Sequence, residues 1–87
     1  MKICYSPHFV RQYKKLPEKV KLSAERREAM FRKYWQNPIL AAHKLKGKFA
    51  GLWSFSIDSR YRIIFEFIRE DEVHFHEVGD HSVYDNR

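Results

Sequence analysis

The sequence predicts an α+β fold in which a short N-terminal strand and two antiparallel helices pack on an antiparallel sheet completed by a C-terminal three-stranded meander. Two patterns predict it. Apolar residues recur at helical spacing as far as Asn37, and from Trp53 to Phe75 they alternate with polar ones at the spacing of a strand. A third observation is size: 87 residues at 44% hydrophobic suffice for the core of one domain, residues 1–87, and leave no room for a second.

Taken in order, Lys2 to Ser6 reads as a strand, and Pro7 suits the first position of a helix because its missing N–H would be unpaired there. Ser6 caps it. Phe9, Tyr13 and Leu16 form the buried stripe, and Pro17 interrupts the pattern. A second helix starts near Glu18 and carries Val20, Ala24, Phe31 and Trp35 on one side, until Pro38 biases Asn37 out of helical geometry. From Ile39 to Gly51 there is no clean period, and two of the three glycines fall here, so the segment reads as a loop. Trp53, Phe55 and Ile57 then alternate with Ser54, Ser56 and Asp58. Beyond a turn at Ser59-Arg60, Tyr61, Ile63, Phe65 and Phe67 alternate with Arg62, Ile64, Glu66 and Ile68. The first set of each faces the helices. Glu70-Asp71 makes the next turn, Val73 and Phe75 continue the inward set, and His74 and His76 point the other way. Arg62 therefore stands on the sheet face that the helices leave open.

The net charge of +6 is unevenly spread: residues 1–50 hold 13 Lys/Arg against 3 acids, while residues 51–87 hold 4 against 8. A basic half of this kind attracts a phosphate backbone with a strong dependence on salt. No stretch approaches the roughly 20 apolar residues needed to cross a bilayer, and the amino terminus lacks the apolar core of a secretion signal, so a cytoplasmic protein without membrane contact is expected. A single cysteine, Cys4, excludes an internal disulfide and reads as buried strand packing. His74 and His76 with His81 lack the regular spacing and acidic companion of a zinc site, so neither metal nor other cofactor is expected.

The chemistry-bearing residues gather late in the chain. His81 and Tyr84 follow the last strand, and Arg62 is the one cation in the run Tyr61-Arg62-Ile63-Ile64-Phe65. Imidazole, phenol and guanidinium are what a metal-free ribonuclease requires, because a 2′-hydroxyl must lose a proton, a 5′-oxygen must gain one, and phosphoryl charge must be neutralised. His81 is the first choice for acid or base and Arg62 for the phosphate clamp. Tyr84 stacks on a base or assists proton transfer, and His43 is the second proton carrier if its loop folds inward. Lys46, Lys48 and Arg60 supply substrate contacts.

At His43-Lys44-Leu45-Lys46-Gly47, the strand from Leu52 to Asp58, Tyr61 to Glu66 and the ending Val78-Gly79-Asp80-His81-Ser82-Val83-Tyr84, the sequence resembles the RelE/ParE superfamily of bacterial toxins. The resemblance covers nearly the whole chain. It implies a toxin of a toxin-antitoxin system, an endoribonuclease that cleaves messenger RNA on the ribosome and so inhibits translation, and that a cognate antitoxin protein blocks. It also implies that the complex binds operator DNA through the antitoxin. Arg62 corresponds to a phosphate-contacting arginine of nuclease members, Tyr84 to a C-terminal tyrosine, His81 to a position that is Arg or His, and His43 to a loop histidine of the histidine-rich branch. The chain departs from one nuclease branch at Ser54 and Ser56, where that branch has lysines, and from the histidine-rich branch at Ser56 and Arg60. The alternative within the same fold is a non-catalytic poison of DNA gyrase or a degenerate member that only binds its antitoxin.

Overall fold

In the computed structural model residues 1–84 are described, the side chains of Ser82 and Tyr84 excepted. The order is β1 (Lys2–Tyr5), α1 (Pro7–Lys14), α2 (Glu18–Lys33), β2 (His43–Lys44), β3 (Trp53–Ser56), β4 (Arg62–Arg69) and β5 (Glu72–Gly79), with 3₁₀ turns at Pro38–Leu40, Gly47–Phe49 and His81–Tyr84. The strands form one sheet in the order β1-β5-β4-β3-β2. The expected α+β architecture is present. One junction differs from an all-antiparallel sheet: β1 runs parallel to β5, with Cys4 opposite His74 and Tyr5 opposite Phe75. The long connection through both helices makes this possible, since a hairpin joins only antiparallel neighbours.

Local signals account for the helix boundaries. Ser6 Oγ accepts from the Phe9 amide at 2.9 Å, capping α1, and Pro7 follows at the first turn. The same hydroxyl donates to the His76 carbonyl at 2.9 Å, and Gln12 Oε1 accepts from the Val78 amide at 2.9 Å. The capping Ser6 and Gln12 of α1 thus satisfy the β5 backbone beyond the point where β1 ends. Helix α2 stops at Lys33, four residues before Asn37, because Tyr34 is already extended. Trp35 leaves the helical stripe and packs against Trp53 and Phe67 at 5.2 and 5.0 Å between ring centroids.

The segment from Ile39 to Gly51 is more ordered than a loop. It holds β2 and two 3₁₀ turns, with positive φ at Ala41, Gly47 and Gly51. A two-residue strand is too short to leave a period in the sequence, which is why the pattern there is silent.

Between helices and sheet lies an aromatic core. Phe31 of α2 is fully buried, stacked on Phe55 at 4.9 Å and edge-on to Phe65 and Phe75 at 5.0 and 5.7 Å. One ring thus couples α2 to three strands. Phe31→Ala is expected to destabilise the fold by about 3–5 kcal/mol, read as a lowered midpoint in urea unfolding at unchanged slope. Two phenols beside this core are also perturbed. Partial burial and then the Glu28 carboxylate, to which its hydroxyl donates, raise Tyr5 above its ordinary pKa; burial and then Glu25 raise Tyr13. Because the folded state disfavours both phenolates, the associated stability is full below pH ~10 and falls as pH climbs above it. Alkaline denaturation curves of Tyr5→Phe and Tyr13→Phe are expected to be flatter there than that of the parent chain.

Candidate active site

Register builds the site from three strands. Ser56 of β3, Arg62 of β4 and Gly79 of β5 lie side by side across the sheet, and the row before them is His43, Ser54, Ile64 and Glu77. A bulge at His76 keeps the two rows in phase: Phe65 pairs with Phe75 but Ile64 with Glu77. Strand alternation turns both rows to the face away from the helices. That face is less open than the alternation alone suggests. Ser54, Ile64 and Glu77 are buried, whereas Arg62 in the next row is half-exposed.

Arg62 is held from one side. Its Nη1 donates to Ser56 Oγ at 2.7 Å, and that hydroxyl donates to the Asp58 carbonyl at 2.9 Å. Among the described residues Arg62 makes no ion pair. A guanidinium has five N–H donors, so one bond to a neutral hydroxyl orients the fork and leaves its charge and most of its donors for an anion. The β3–β4 turn is itself fixed by Asp58, whose Oδ1 accepts from the amides of Arg60 and Tyr61 at 2.8 and 2.7 Å. Arg60 lies over the Tyr61 ring and reaches Asp80 at 3.9 Å, which ties this turn to the exit of β5.

Beyond Gly79 the chain folds back in the His81–Tyr84 turn, whose Val83 amide donates to the Asp80 carbonyl at 3.1 Å. Val83 is buried, and a Cβ on Gly79 would stand 2.6 Å from its Cγ1. Only a glycine admits this approach. His81 is exposed at the start of the turn, two residues after the partner of Arg62, so the two Cα atoms are within about 13 Å of one another.

The other sequence-predicted residues are placed unequally. His43 is exposed on β2, opposite Ser54 and on the same face as Arg62, with about 10 Å of lateral separation across two strand spacings. Its Nδ1 donates to the Ala41 carbonyl at 3.0 Å, which in the neutral ring leaves Nε2 as the basic atom. Lys46 and Lys48 are exposed in and beside the 3₁₀ turn after β2, with Lys48 over the Phe49 ring. The Tyr84 side chain lies outside the described residues. Sequence reasoning missed Ser56 as the anchor of Arg62; Glu77 is buried, with its Oε1 3.7 Å from His8 Nε2. Counting symmetrically about the expected Ser59-Arg60 turn sets Ile57 opposite Arg62, one residue out of the observed register in which Ser56 stands there. Among the described residues the three groups able to hold a metal ion are Cys4, Glu72 and His74, at the other end of this face.

A five-stranded sheet of this order under two N-terminal helices defines a class by its fold, which is that of the RelE/ParE toxins. The chain is similar over its length to the YoeB/ParE toxin from Agrobacterium tumefaciens, with a TM-score of 0.76 and 15% identity, covering 93% of this chain and 99% of that one. It is similar likewise to a Methanococcus jannaschii protein solved as a RelB–RelE antitoxin–toxin complex, with a TM-score of 0.74, 21% identity and coverage of 95% and 96%. A third similar structure is the heterotetrameric YoeB–YefM toxin–antitoxin complex from Staphylococcus aureus, with a TM-score of 0.74, 18% identity and coverage of 93% and 97%. No protein-family model matches the chain, and no curated protein matches it in sequence.

The Gly79–Val83 approach yields a test of how the chain's return is held. Gly79→Ala is expected to displace the His81–Tyr84 turn while the aromatic core stays intact, seen as increased amide exchange confined to residues after Gly79 with near-UV dichroism unchanged.

Proposed function

We propose that the chain is the toxin of a toxin-antitoxin pair and that it cleaves messenger RNA on the ribosome without a metal in the reaction. The observation that carries this reading is the half-exposed Arg62, oriented by Ser56 Oγ and paired through its strand with Gly79, next to the turn that starts at His81. In this reading the Arg62 fork binds the scissile phosphate and neutralises the charge that develops on its oxygens. An imidazole takes the proton of the ribose 2′-hydroxyl, whose oxygen attacks phosphorus in line; a second group delivers a proton to the departing 5′-oxygen. The products are a 2′,3′-cyclic phosphate and a 5′-hydroxyl. His81 fills one proton role and His43, with its basic Nε2, or Tyr84 the other. Arg60, Lys46 and Lys48 draw in the backbone of the substrate.

The antitoxin is the second partner proposed. A cleft of about 360 Å³ between α1 and α2 is lined by Tyr5, Phe9, Val10, Tyr13, Lys14 and the acids Glu25 and Glu28. Its wall is largely apolar, and Val10 and Leu22 are exposed on the helices. The helical half therefore offers apolar anchors as well as positive charge to an antitoxin segment.

The test is cleavage of messenger RNA on programmed ribosomes, with 3′ ends examined for cyclic phosphate. Arg62→Ala is expected to lower the rate about a hundredfold to a thousandfold, the effect of losing one preorganised donor, and Arg62→Lys to recover little of it. His81→Gln should lower it by about 10² to 10⁴ without loss of antitoxin binding. Retained activity in Tyr84→Phe that vanishes in Tyr84→Ala assigns stacking to that ring, whereas loss in Tyr84→Phe assigns the hydroxyl. Parental rates in both Arg62→Ala and His81→Gln would refute the site. Growth arrest with intact messenger RNA and trapped gyrase cleavage complexes would move the protein to the gyrase-directed class.

A further inference from the structure

At the opposite end of the outer face, β1 and β5 bring together a thiol, a carboxylate and an imidazole that RNA cleavage does not use. Parallel pairing sets Cys4 directly opposite His74, and Glu72 stands two residues before His74 on the same strand. The pleat turns all three side chains to one side. Each is half-buried, which corrects the expectation that Cys4 is buried packing. Glu72 Oε2 is 3.8 Å from Cys4 Sγ and 3.3 Å from His74 Nε2, and the three donor atoms all lie within 4.8 Å of one another.

These separations can be compared with a coordination shell. A tetrahedral zinc ion with bonds of about 2.0 Å to nitrogen and oxygen and about 2.3 Å to sulfur requires about 3.3 Å between nitrogen and oxygen and about 3.5 Å between sulfur and oxygen. Both observed edges agree to within about 0.3 Å, a change that one side-chain torsion supplies.

We propose that Cys4, Glu72 and His74 bind a divalent transition-metal ion, zinc foremost, with water completing the shell. Thiolate and imidazole select such an ion over magnesium or calcium, which take oxygen donors. The other carboxylate oxygen of Glu72 is engaged by Arg69 Nε at 3.4 Å, which aims Oε2 at the thiol and the imidazole. His76 is the next imidazole along, 6.3 Å from His74 between ring centroids, and is bound to Glu66 Oε1 at 2.9 Å. One ligand comes from β1 and two from β5, so the ion bridges the parallel junction. It lies about 15 Å along β5 from Gly79, too far to touch a phosphate bound at Arg62.

The experiment uses the full metal-free chain, titrated first with Co²⁺ and then with Zn²⁺. Expected are one ion per chain, intense tetrahedral d–d absorption with a sulfur-to-cobalt charge-transfer band, displacement by Zn²⁺, and a higher Tm in Zn²⁺ than in Mg²⁺. Cys4→Ser should abolish the charge-transfer band. His74→Ala should weaken Zn²⁺ binding by more than about 100-fold, beyond the 10- to 100-fold typical for loss of an outer-sphere partner, while His8→Ala binds as the parent chain does. Far-UV dichroism of the metal-free variants separates lost ligation from lost fold. A pale octahedral cobalt spectrum without the sulfur band, or equal Zn²⁺ affinity in the parent chain, Cys4→Ser and His74→Ala, would overturn the proposal and leave these side chains as a surface hydrogen-bond network.

Discussion

The parallel ladder between β1 and β5 is the constraint on which the arrangement depends. Four residues at the amino end lie beside the last strand, and everything that follows β1 inherits its place from that contact. Helix α1 leaves the end of β1 and so runs along β5, close enough for Ser6 and Gln12 to meet the backbone of His76 and Val78. Those bonds finish the edge of β5 just where it approaches Gly79. A parallel pair is slightly weaker per residue than an antiparallel one, and this one is only four residues long. The aromatic contacts of Phe9 and Tyr5 with Phe75, at 5.6 and 5.7 Å, add packing at the same junction.

The two faces of the sheet divide the labour. On the inner face Phe55, Phe65 and Phe75 surround Phe31 and need only shape and apolar area. The outer face combines a closed centre at Ser54, Ile64 and Glu77 with polar groups at its ends. A rigid central patch suits a site, since a guanidinium standing on a strand between two paired neighbours has fewer places to go than one on a loop. Ser56 illustrates how little is needed: one hydroxyl, bonded in turn to a turn carbonyl, orients Arg62 without neutralising it.

What the sequence disclosed and what it withheld follow from the range of each interaction. Helix starts, the Pro17 break and the alternation through β3 to β5 are local, and they were legible from residues such as Ser6, Pro7 and Phe65. The β1–β5 pairing joins residues about 70 positions apart, and no periodicity encodes it; Cys4 went unrecognised as a neighbour of His74 for that reason, whereas Glu72, two residues before His74 on the same strand, was within reach of the alternation. The end of α2 at Lys33 was hidden because Trp35 keeps helical phase while serving a different contact. For the candidate site, Arg62 stood out as a charge within an apolar run. Its anchor did not, since a serine in a strand carries no signal until the hairpin register is known.

One edge of the molecule has an optical consequence. Both tryptophans of the chain, Trp35 and Trp53, meet edge to face beside Phe67, at a cleft lined also by Lys44, Arg69 and Glu70. The side chain of Trp53 points to the helix side of β3, while the row of Ser56 and Arg62 faces away from it. Intrinsic emission is therefore a spatially selective reporter: it registers what happens at the β2–β3 margin and is nearly blind to the arginine. Two indoles locked in this contact also sit in a fixed asymmetric environment, which gives the native fold a near-ultraviolet dichroism that vanishes when the margin loosens.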